Sequence, residues 1–470
     1  MAQEYQSSTR QAPLQVTAVQ ALKAQLHGLL LRPGDEGYEI ARKVWNAMID
    51  RKPALIARCV DVADVRAAVT FARSQDLLVA VRGGGHNLPG NAVCDGGLVI
   101  DLSQMKGIQV DPVQHTARGE GGVLWGEFDH ATQAFGLATT GGTVADTGIA
   151  GLTLGGGLGW LGGQYGLTCD NLRAAEVVTA DGRVLTASAT EHADLFWGLR
   201  GGGGNFGVVT AFEYQLHPVG PVLAGLVLYP WAVAKTVLIG YRDFCRTLPD
   251  ALNTVCVLLT SPTGEPAVAL GVCYQGDLVA GERVLRPLRT LGSALVDQIR
   301  PMAYTDLQAL VGGMILPGRQ NYIKSSFLHE LSDPVIDALV THFAAVSSPL
   351  SVVVLQQLGN AANRVPAEAT AFGHRDARYE LLLQAIWLDQ AEAERHIGWT
   401  RAGWEALQPF VTGGGYVNQM GTEAEEGTER IKAAYGPNYT RLVGLKEIYD
   451  PTNLFRLNAN IRPTGSVLRI

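Results

Sequence analysis

The sequence predicts an α+β fold, with a small βαβ unit and a mixed sheet in one domain and an antiparallel sheet covered by helices in another. Three observations lead to this prediction. Two buried apolar runs flank an amphipathic helix within residues 54–82. The dipeptide Asp181-Gly182 between two β-branched runs is typical of an antiparallel hairpin. From residue 221 to about 410, strand-like segments are interleaved with helical segments.

The βαβ unit is predicted from its apolar pattern. Residues 54–60 and 77–82 read as strands, and residues 61–75 read as a helix that begins near Asp61 or Asp64. The buried stripe of this helix repeats at i, i+3, i+4 and i+7 and consists of Val65, Ala68, Val69 and Ala72. The second strand leads into a glycine loop, at the strand end where open α/β sheets bind ligands.

The region 221–410 is predicted to fold separately. Its segment 351–357 reads as a strand and its segment 333–347 as a helix. The most apolar stretch, 221–241, is interrupted by Pro230 and Lys235, which favours a strand followed by a helix over a membrane span.

Two domains are expected because the 470 residues exceed the ~250–300 at which one core stops growing. We expect residues 1–220 and 411–470 to form one domain and residues 221–410 to form the other.

The composition favours small-molecule chemistry. Hydrophobic residues make up 47% of the chain, charged residues 17%, and the formal net charge is −7, so nucleic acid and anionic membranes are not indicated as partners. The six cysteines form no CxxC pair, which argues against disulfides or a metal site. Residues 1–13 are polar and lack the apolar core of a secretory signal. We therefore expect a cytoplasmic enzyme, and the oligomeric state stays open.

Glycine is the unusual residue, with 56 copies against a typical share of about 7%. They cluster at 83–85, 119–126, 141–163 and 198–207, which indicates several loops that approach one large ligand with their backbones. His86 directly follows the first cluster and is a candidate nucleophile on a cofactor loop; the alternative is an incidental surface histidine.

A nicotinamide site is not supported. The run Gly157-Leu158-Gly159-Trp160-Leu161-Gly162 satisfies GxGxxG, but no continuous apolar strand precedes it, and Asp181 belongs to a hairpin turn.

Five motifs in order resemble those of the berberine-bridge-enzyme-like flavoproteins, within the vanillyl-alcohol-oxidase (PCMH-type) FAD superfamily, and especially the bacterial members. These motifs are Arg82–Asn87, Thr147–Gly157, Gly203–Val209, Tyr416–Asn418 and Tyr449–Asn460. The resemblance covers nearly the whole chain. It implies a PCMH-type FAD-binding domain and a separate substrate domain.

The resemblance implies an FAD-dependent oxidase. It would take hydride from a C–H of an alcohol or amine in a small aromatic or natural-product-like substrate and reduce O2 to H2O2. The alternatives are a dehydrogenase of the same fold with another electron acceptor, an oxygenating tailoring enzyme, and a flavin protein that only sequesters its ligand.

The resemblance also implies the residues around FAD. His86 stands where the family histidine is bonded to the 8α-methyl of the flavin. Val144 replaces a second, cysteine tether, so one covalent link is expected and Cys169 is assigned to packing. Thr147 lies where the family controls access of dioxygen. The remaining expected FAD contacts are Arg82, Gly83, Gly84, Gly85, Asn87, Gly90, Asp146, Gly148, Gly151, Leu152, Gly156, Gly159, Asn205, Gly207, Val209, Asn418, Asn458 and Asn460.

The catalytic candidates are Tyr416, Tyr322, Lys324 and Gln357. Tyr416 could act as base, or its hydroxyl could anchor the loop. Tyr322 and Lys324 share one face of a predicted strand, where Lys324 could lower the pKa of a phenol or be solvated. One of Gln356 and Gln357 should face the substrate, since strand side chains alternate. Arg364 aligns with the glutamate base of plant berberine bridge enzymes, so plant-type ring closure is not supported.

Overall fold

The chain folds around four β-sheets, in a computed structural model that describes residues 14–312 and 316–464. The predicted lack of a secretory signal concerns residues 1–13, which lie outside the described residues.

The predicted βαβ unit is confirmed. The first sheet has the order β1-β2-β4-β3, with β4 parallel to both β2 and β3 and β1 antiparallel to β2. Asp61 caps the amphipathic helix by accepting a hydrogen bond from the backbone N–H of Asp64 at 3.0 Å, which satisfies an otherwise unpaired donor. The elements are α1 (Val16–Gln25), β1 (Leu29–Leu31), α2 (Tyr38–Ala41), β2 (Leu55–Arg58), α3 (Val62–Ser74), β3 (Val79–Arg82) and β4 (Leu98–Asp101).

The second sheet has the order β5-β6-β10-β8-β9, and its neighbouring strands are antiparallel. The predicted hairpin joins β8 to β9, with Gly182 at φ 84° in the turn. Strands β7 and β11 form a separate pair. The elements are β5 (Ile108–Asp111), β6 (Thr116–Glu120), α4 (Trp125–Gln133), β7 (Leu137–Ala138), α5 (Ile149–Leu154), α6 (Gly162–Tyr165), β8 (Leu172–Val178), β9 (Val184–Ser188), α7 (Ala193–Leu199), β10 (Val208–Gln215) and β11 (His217–Pro218).

The largest sheet among the described residues has eight antiparallel strands, β12 to β19, with β17 at one edge. The predicted strand and helix within 221–241 are confirmed as β12 and α8, and the predicted strand over 351–357 as β18. The elements are β12 (Val222–Pro230), α8 (Ala234–Cys245), β13 (Leu252–Thr260), β14 (Pro266–Tyr274), α9 (Leu278–Arg289), β15 (Val296–Asp297), β16 (Arg300–Met302), α10 (Tyr304–Gly312), β17 (Gln320–Leu328), α11 (Asp333–Phe343), β18 (Val352–Gln357), α12 (Ala361–Arg364), β19 (Tyr379–Trp387) and α13 (Ala393–Leu407).

Helices cover one face of this sheet. Leu238 of α8, Leu339 of α11 and Trp399 of α13 share a core with Val353 and Leu355 of β18. The covered face is called the back face below, and the opposite one the front face. Because successive strand residues point to opposite faces, this core fixes the orientation of every strand residue.

The C-terminal segment returns to the N-terminal part of the chain. It contains α14 (Glu423–Glu426), α15 (Thr428–Tyr435) and α16 (Tyr439–Tyr449). Leu442 and Leu445 of α16 share a core with Leu195 and Phe196 of α7. In the part of the chain that the structure describes, no helix combines the length and apolar character needed to cross a membrane.

A buried carboxyl lies where α4 meets α10. Asp129 is fully buried, and the Gln308 side-chain amide donates to its Oδ2 at 2.8 Å. Burial raises the pKa of Asp129 to about 7, although the hydrogen bond from Gln308 opposes this. The folded protein thus holds this proton more tightly than the unfolded chain, so stability falls as pH rises from 3.8 to about 7.

Replacing Asp129 with asparagine should stabilise the protein at alkaline pH. The gain in the free energy of unfolding should be about 2–3 kcal/mol larger at pH 8 than at pH 5, because the stability that the parent protein loses between these pH values does not depend on pH in the variant. Urea titrations at both pH values measure this, with the exposed Asp376→Asn as control. If the variant and the parent protein differed in free energy of unfolding by the same amount at both pH values, the raised pKa of Asp129 would be wrong.

Candidate functional site

A cleft lies between the glycine loops and the C-terminal segment. Seven of the FAD contacts predicted from the sequence line the cleft: Gly83, Asn87, Gly151, Gly207, Val209, Asn418 and Asn458. Three others, Gly84, Gly148 and His86, are next to or within a few residues of Gly83, Asn87 and Gly151 in the chain.

The glycines allow two loops to touch and leave space for a ligand. A Cβ on Gly84 would lie 2.5 Å from the backbone nitrogen of Gly148, so the two loops are in direct backbone contact. A Cβ on Gly151 or Gly204 would meet no atom within 4 Å, and both residues line the cleft. Their missing side chains therefore leave the cleft open.

His86 is held by two partners. Its Nε2 lies 3.1 Å from Oδ1 of Asp146, and its ring centroid lies 4.6 Å from that of Trp45. Trp45 also donates from Nε1 to Oδ2 of Asp146 at 3.3 Å. Burial acts to raise the pKa of Asp146, but the hydrogen bonds from His86 and Trp45 outweigh it and lower this pKa. Sequence reasoning missed Trp45, because no local pattern links it to a histidine 41 residues away.

Three other predicted contacts shape the His86 loop. The Arg82 guanidinium donates to the carbonyl of Ala41. A Cβ on Gly85 would lie 3.2 Å from Nε of Arg82, and one on Gly90 would lie 2.7 Å from the Ile49 side chain. The Arg82 guanidinium therefore contacts the protein backbone, while its buried Nε has no partner among the described residues.

The ribbon from Thr147 to Gly159 mostly holds chain segments together. The Thr147 carbonyl accepts from the Trp125 backbone N–H at 2.9 Å, and the Leu152 carbonyl accepts from Nδ2 of Asn418 at 3.0 Å. A Cβ on Gly156 would lie 2.8 Å from Phe372, and one on Gly159 would overlap the Gly141 carbonyl oxygen. These glycines permit tight chain packing beside the cleft.

The predicted asparagines differ in what they can offer a ligand. Asn205 is fully buried, and both polar atoms of its side chain have hydrogen-bond partners within the protein. Its Nδ2 donates to three oxygens, including the Ala459 carbonyl, and its Oδ1 accepts from the Ile461 N–H. Asn458 and Asn460 each carry a buried Oδ1 with no partner among the described residues. Such an unpaired oxygen is costly unless a ligand or water satisfies it.

Tyr416 anchors its loop in this structure. Its hydroxyl oxygen accepts from the Gly157 N–H at 2.9 Å and from Nδ2 of Asn418 at 2.8 Å. Burial raises the pKa of Tyr416 well above its ordinary value, and these two hydrogen bonds only partly oppose it. Of the two predicted roles, the geometry favours the anchor over the base.

The structure corrects three of the catalytic candidates. Tyr322, Lys324 and Gln357 point to the back face, because Tyr322 packs in the helix-covered core, Lys324 lies over the ring of Trp404 of α13, and Gln357 continues the Val353 and Leu355 row. Gln356, and not Gln357, is therefore on the front face.

Lys324 is not solvated, and the neighbouring phenol of Tyr322 does not have a lowered pKa. Its side chain is 6% exposed and its Nζ is paired with Glu426 at 2.9 Å. Burial and the neighbouring Glu425 carboxylate raise the pKa of Tyr322.

The front face holds a carboxyl that sequence reasoning missed. Glu380 of β19 is 1% exposed, and Ser325 donates to its Oε1 at 2.8 Å. Ser325 in turn accepts from the Tyr416 N–H at 3.3 Å, which links Glu380 to the cleft loop. Burial raises the pKa of Glu380 to about 8, although the Ser325 hydrogen bond opposes this. The available signal was the one acidic residue in the mainly apolar run 379–387.

Comparisons with known proteins identify the family of this chain. An FAD binding domain model matches residues 53–188, and a berberine and berberine-like model matches residues 415–462. The (R)-6-hydroxynicotine oxidase of Paenarthrobacter nicotinovorans is 33% identical over 465 residues, 95% of this chain and 99% of the relative. An FAD-linked oxidoreductase of Dictyostelium discoideum is 31% identical over 443 residues, 93% and 95% of the two chains.

A solved structure has the same fold. The crystal structure of 6-hydroxy-D-nicotine oxidase from Arthrobacter nicotinovorans superposes with a TM-score of 0.84 and 29% identity, covering 93% of this chain and 98% of that one. These similarities show that the protein is an FAD-linked oxidoreductase. The chain belongs to the family of berberine-like FAD-linked oxidoreductases.

The residues present fit FAD. Segments from the N-terminal glycine loops and from the C-terminal segment line one cleft, and Gly151 and Gly204 leave backbone exposed there. The buried Oδ1 atoms of Asn458 and Asn460 have no hydrogen-bond donor among the described residues, so a ligand could supply one. Bound FAD would lie against Gly83 to Asn87, Gly151 and the Gly203–Val209 loop.

Filling the cleft should block the cofactor. Replacing Gly151 with leucine should lower the FAD content at least about tenfold, because the new side chain would occupy the open space in the cleft. Gly151 lies in α5 without positive φ, so the fold should survive. The flavin absorbance per chain measures the effect. Gly398→Leu, at an open position on α13 outside the cleft, is the matched control; equal flavin content in both variants would refute the placement.

Proposed function

We propose that this protein is an oxidase that takes hydride from a C–H of an alcohol or amine in a small, mainly apolar aromatic or natural-product-like substrate and reduces O2 to H2O2. The name of the hydroxynicotine oxidase relative supports the oxidase part. The proposed class of substrate rests on the side chains of the front face of the largest sheet, next to the loop that carries Tyr416.

That front face is largely apolar. On β17, β18 and β19 it presents Ile323, Phe327, Val352, Val354, Leu382 and Ile386. Nε2 of Gln384 donates to Oδ1 of Asn321 at 2.9 Å, so these two amides partly satisfy each other. Ser325, Glu380 and Gln356 remain as polar groups, and register pairs Gln356 with Glu380. A few polar groups in an apolar wall suit a ring-bearing substrate better than a sugar.

We propose one covalent link to FAD, through His86. In the tautomer that donates from Nε2 to Asp146, the Nδ1 lone pair is available for bonding, and Trp45 fixes the ring plane. Cys169 is fully buried, and burial raises the pKa of its thiol, so it is a poor second nucleophile. The tether would prevent cofactor loss.

Bound FAD would supply the hydride acceptor and the route of electrons to O2. We propose that Glu380 accepts the substrate proton and that Tyr416 holds the loop beneath it. The pKa of Glu380, about 8, lies near neutrality, as proton transfer requires. The hydrogen bonds that Tyr416 accepts from Gly157 and Asn418 support its anchoring role.

We also propose the division into a FAD-binding domain over 1–220 and 411–470 and a substrate domain over 221–410. The strands of the largest sheet, from Val222 to Trp387, support it. A cytoplasmic location is proposed because all six cysteines are unpaired and five are buried.

A substrate screen under air and under argon tests the function. Candidate amines and alcohols should bleach the flavin under argon, and air should restore its colour with one H2O2 formed per turnover. Reoxidation by a quinone or dye but not by air would favour the dehydrogenase, and oxygen atoms from labelled dioxygen in the product would favour the oxygenating enzyme. A flavin that no candidate bleaches would favour ligand sequestration.

A further inference from the structure

The edge strand β17 has its open side covered by the rest of the chain. The Thr412 N–H donates to the Phe327 carbonyl at 3.0 Å, and the Arg430 guanidinium donates to the Ser325 carbonyl. Nδ2 of Asn46 donates to the Asn321 carbonyl at 2.9 Å. Unpaired groups of an edge strand are thus satisfied by segments that flank the cleft.

One segment, residues 412–430, contacts both faces of β17, and we call it the clasp. On the front face, its Tyr416 N–H donates to Oγ of Ser325. On the back face, Oε1 of its Glu426 accepts from Nζ of Lys324 at 2.9 Å. The clasp therefore encloses the strand that carries Ser325.

The back-face contact is a buried ionic cluster. The side chains of Lys324, Glu426 and Arg430 are 6%, 1% and 10% exposed. Both cations lie over the ring of Trp404, with Lys324 Nζ at 5.5 Å and the Arg430 guanidinium carbon at 4.6 Å from its centroid. Glu426 Oε1 also accepts from the Gly421 N–H at 3.1 Å. One carboxylate thus joins β17, α15 and the backbone of the clasp.

The same clasp lines the cofactor cleft. Val417, Asn418, Met420 and Gly421 are lining residues. Asn418 packs closely on the glycine ribbon, since a Cβ on Gly155 would lie 2.1 Å from its Oδ1. A shift of Glu426 would therefore move a wall of the cleft as well as the support of Ser325.

We propose that Glu426 is a positioning residue that, through Lys324, Arg430 and Gly421, holds residues 416–421 against the cleft and keeps solvent out of it. The inference rests on the proposed function only in taking FAD as the occupant of the cleft. Removing one member of a buried ion pair leaves an uncompensated charge, whereas removing both is far less costly. The cluster therefore allows a test by a double-mutant cycle.

The test uses the full-length protein and the variants Glu426→Gln, Lys324→Met and their combination. Iodide quenching of flavin fluorescence measures solvent access to the cleft. Glu426→Gln should raise the quenching constant at least about threefold with unchanged flavin content, because the buried Arg430 loses its carboxylate and Lys324 keeps only the more distant Glu425 at 3.7 Å. Lys324→Met should also raise the quenching constant, but by less, because Glu426 still has its ion pair with Arg430. The quenching constant of the double variant should be lower than that of Glu426→Gln.

Hydrogen exchange provides a readout that needs no cofactor. Amides of 412–422 should exchange faster in Glu426→Gln, and those of β18 should not. Lys324→Arg, which keeps the charge, should behave as the parent protein. The matched controls are Lys235→Met and Asp337→Asn, which break an exposed ion pair between α8 and α11 and should change neither readout.

Two results would overturn the proposal. One is a quenching constant and 412–422 exchange in Glu426→Gln that equal those of the parent protein. The other is a uniform rise in exchange across the chain with a lower melting temperature, which indicates a merely structural role. A protein that binds no flavin would defeat the proposed function instead, and the exchange measurement would still decide the role of Glu426.

Discussion

Replacing Glu380 with glutamine should slow flavin reduction by substrate about 10²–10⁴-fold, the usual contribution of a positioned acid–base group. Glutamine preserves the shape and the contact with Ser325 but cannot accept a proton. FAD content and the melting temperature should not fall, because Glu380 does not line the cofactor cleft and the variant removes a buried ionisable group. Anaerobic stopped-flow mixing with a substrate from the screen measures the rate.

The pH dependence of flavin reduction shows whether Glu380 acts as a base or as an acid. A base acts in its ionised form, so the reduction rate should rise as pH passes through about 8, the pKa of Glu380, and then level. The glutamine variant should show no such rise. Ser325→Ala is the control: its hydroxyl lowers the pKa of Glu380, so its loss should move the midpoint upward without abolishing it. A glutamine variant with the parent rate at pH 8 would rule out Glu380 as the proton acceptor.

Replacing Asp450 with alanine should cost about 3–5 kcal/mol of unfolding free energy, because it leaves the buried Lys446 ammonium without its carboxylate. Both side chains are fully buried, with Nζ of Lys446 2.8 Å from Oδ2 of Asp450. Asp450 also accepts from the N–H groups of Leu454 and Phe455. Since Phe455 lines the cleft, the fraction of chains that incorporate FAD should fall too.

Urea titration at pH 7 measures the loss, and two variants separate its causes. Asp450→Asn removes only the charge, and combining it with Lys446→Met removes the ammonium as well, so this double variant should recover part of the stability. Burial already lowers the pKa of Lys446, so the alanine variant should regain stability as pH rises and the amine loses its proton. An alanine variant as stable as the parent protein would contradict the pairing.

The sequence predicted the local elements well, for physical reasons. Val65, Ala68, Val69 and Ala72 repeat with helical period, and all four are buried. The hairpin at Asp181-Gly182 follows from the positive φ that Gly182 tolerates. The position of the His86 loop followed from a buried strand that ends in three glycines. Each of these signals is contained within a few residues.

The site itself depends on contacts between distant segments, and the sequence could only partly predict it. A period of two shows that Tyr322 and Lys324 share a face, but not which face the helices cover. The packing of α13, about 70 residues later in the chain, helps to determine which face is covered. As a result Tyr322, Lys324 and Gln357 lie on the back face and not on the front face. Trp45 and Glu380 were missed for the same reason, because their partners His86 and Ser325 lie far along the chain.

We propose above that FAD occupies the glycine-lined cleft and is bonded to His86. Intact-mass measurement of the acid-denatured protein distinguishes a covalent bond from tight binding. We expect the parent chain to carry the added mass of one FAD and His86→Ala to have the mass of the bare chain, even where it still binds flavin before denaturation. A parent chain without added mass, or a His86→Ala chain that retains the flavin after denaturation, would rule out the bond to His86.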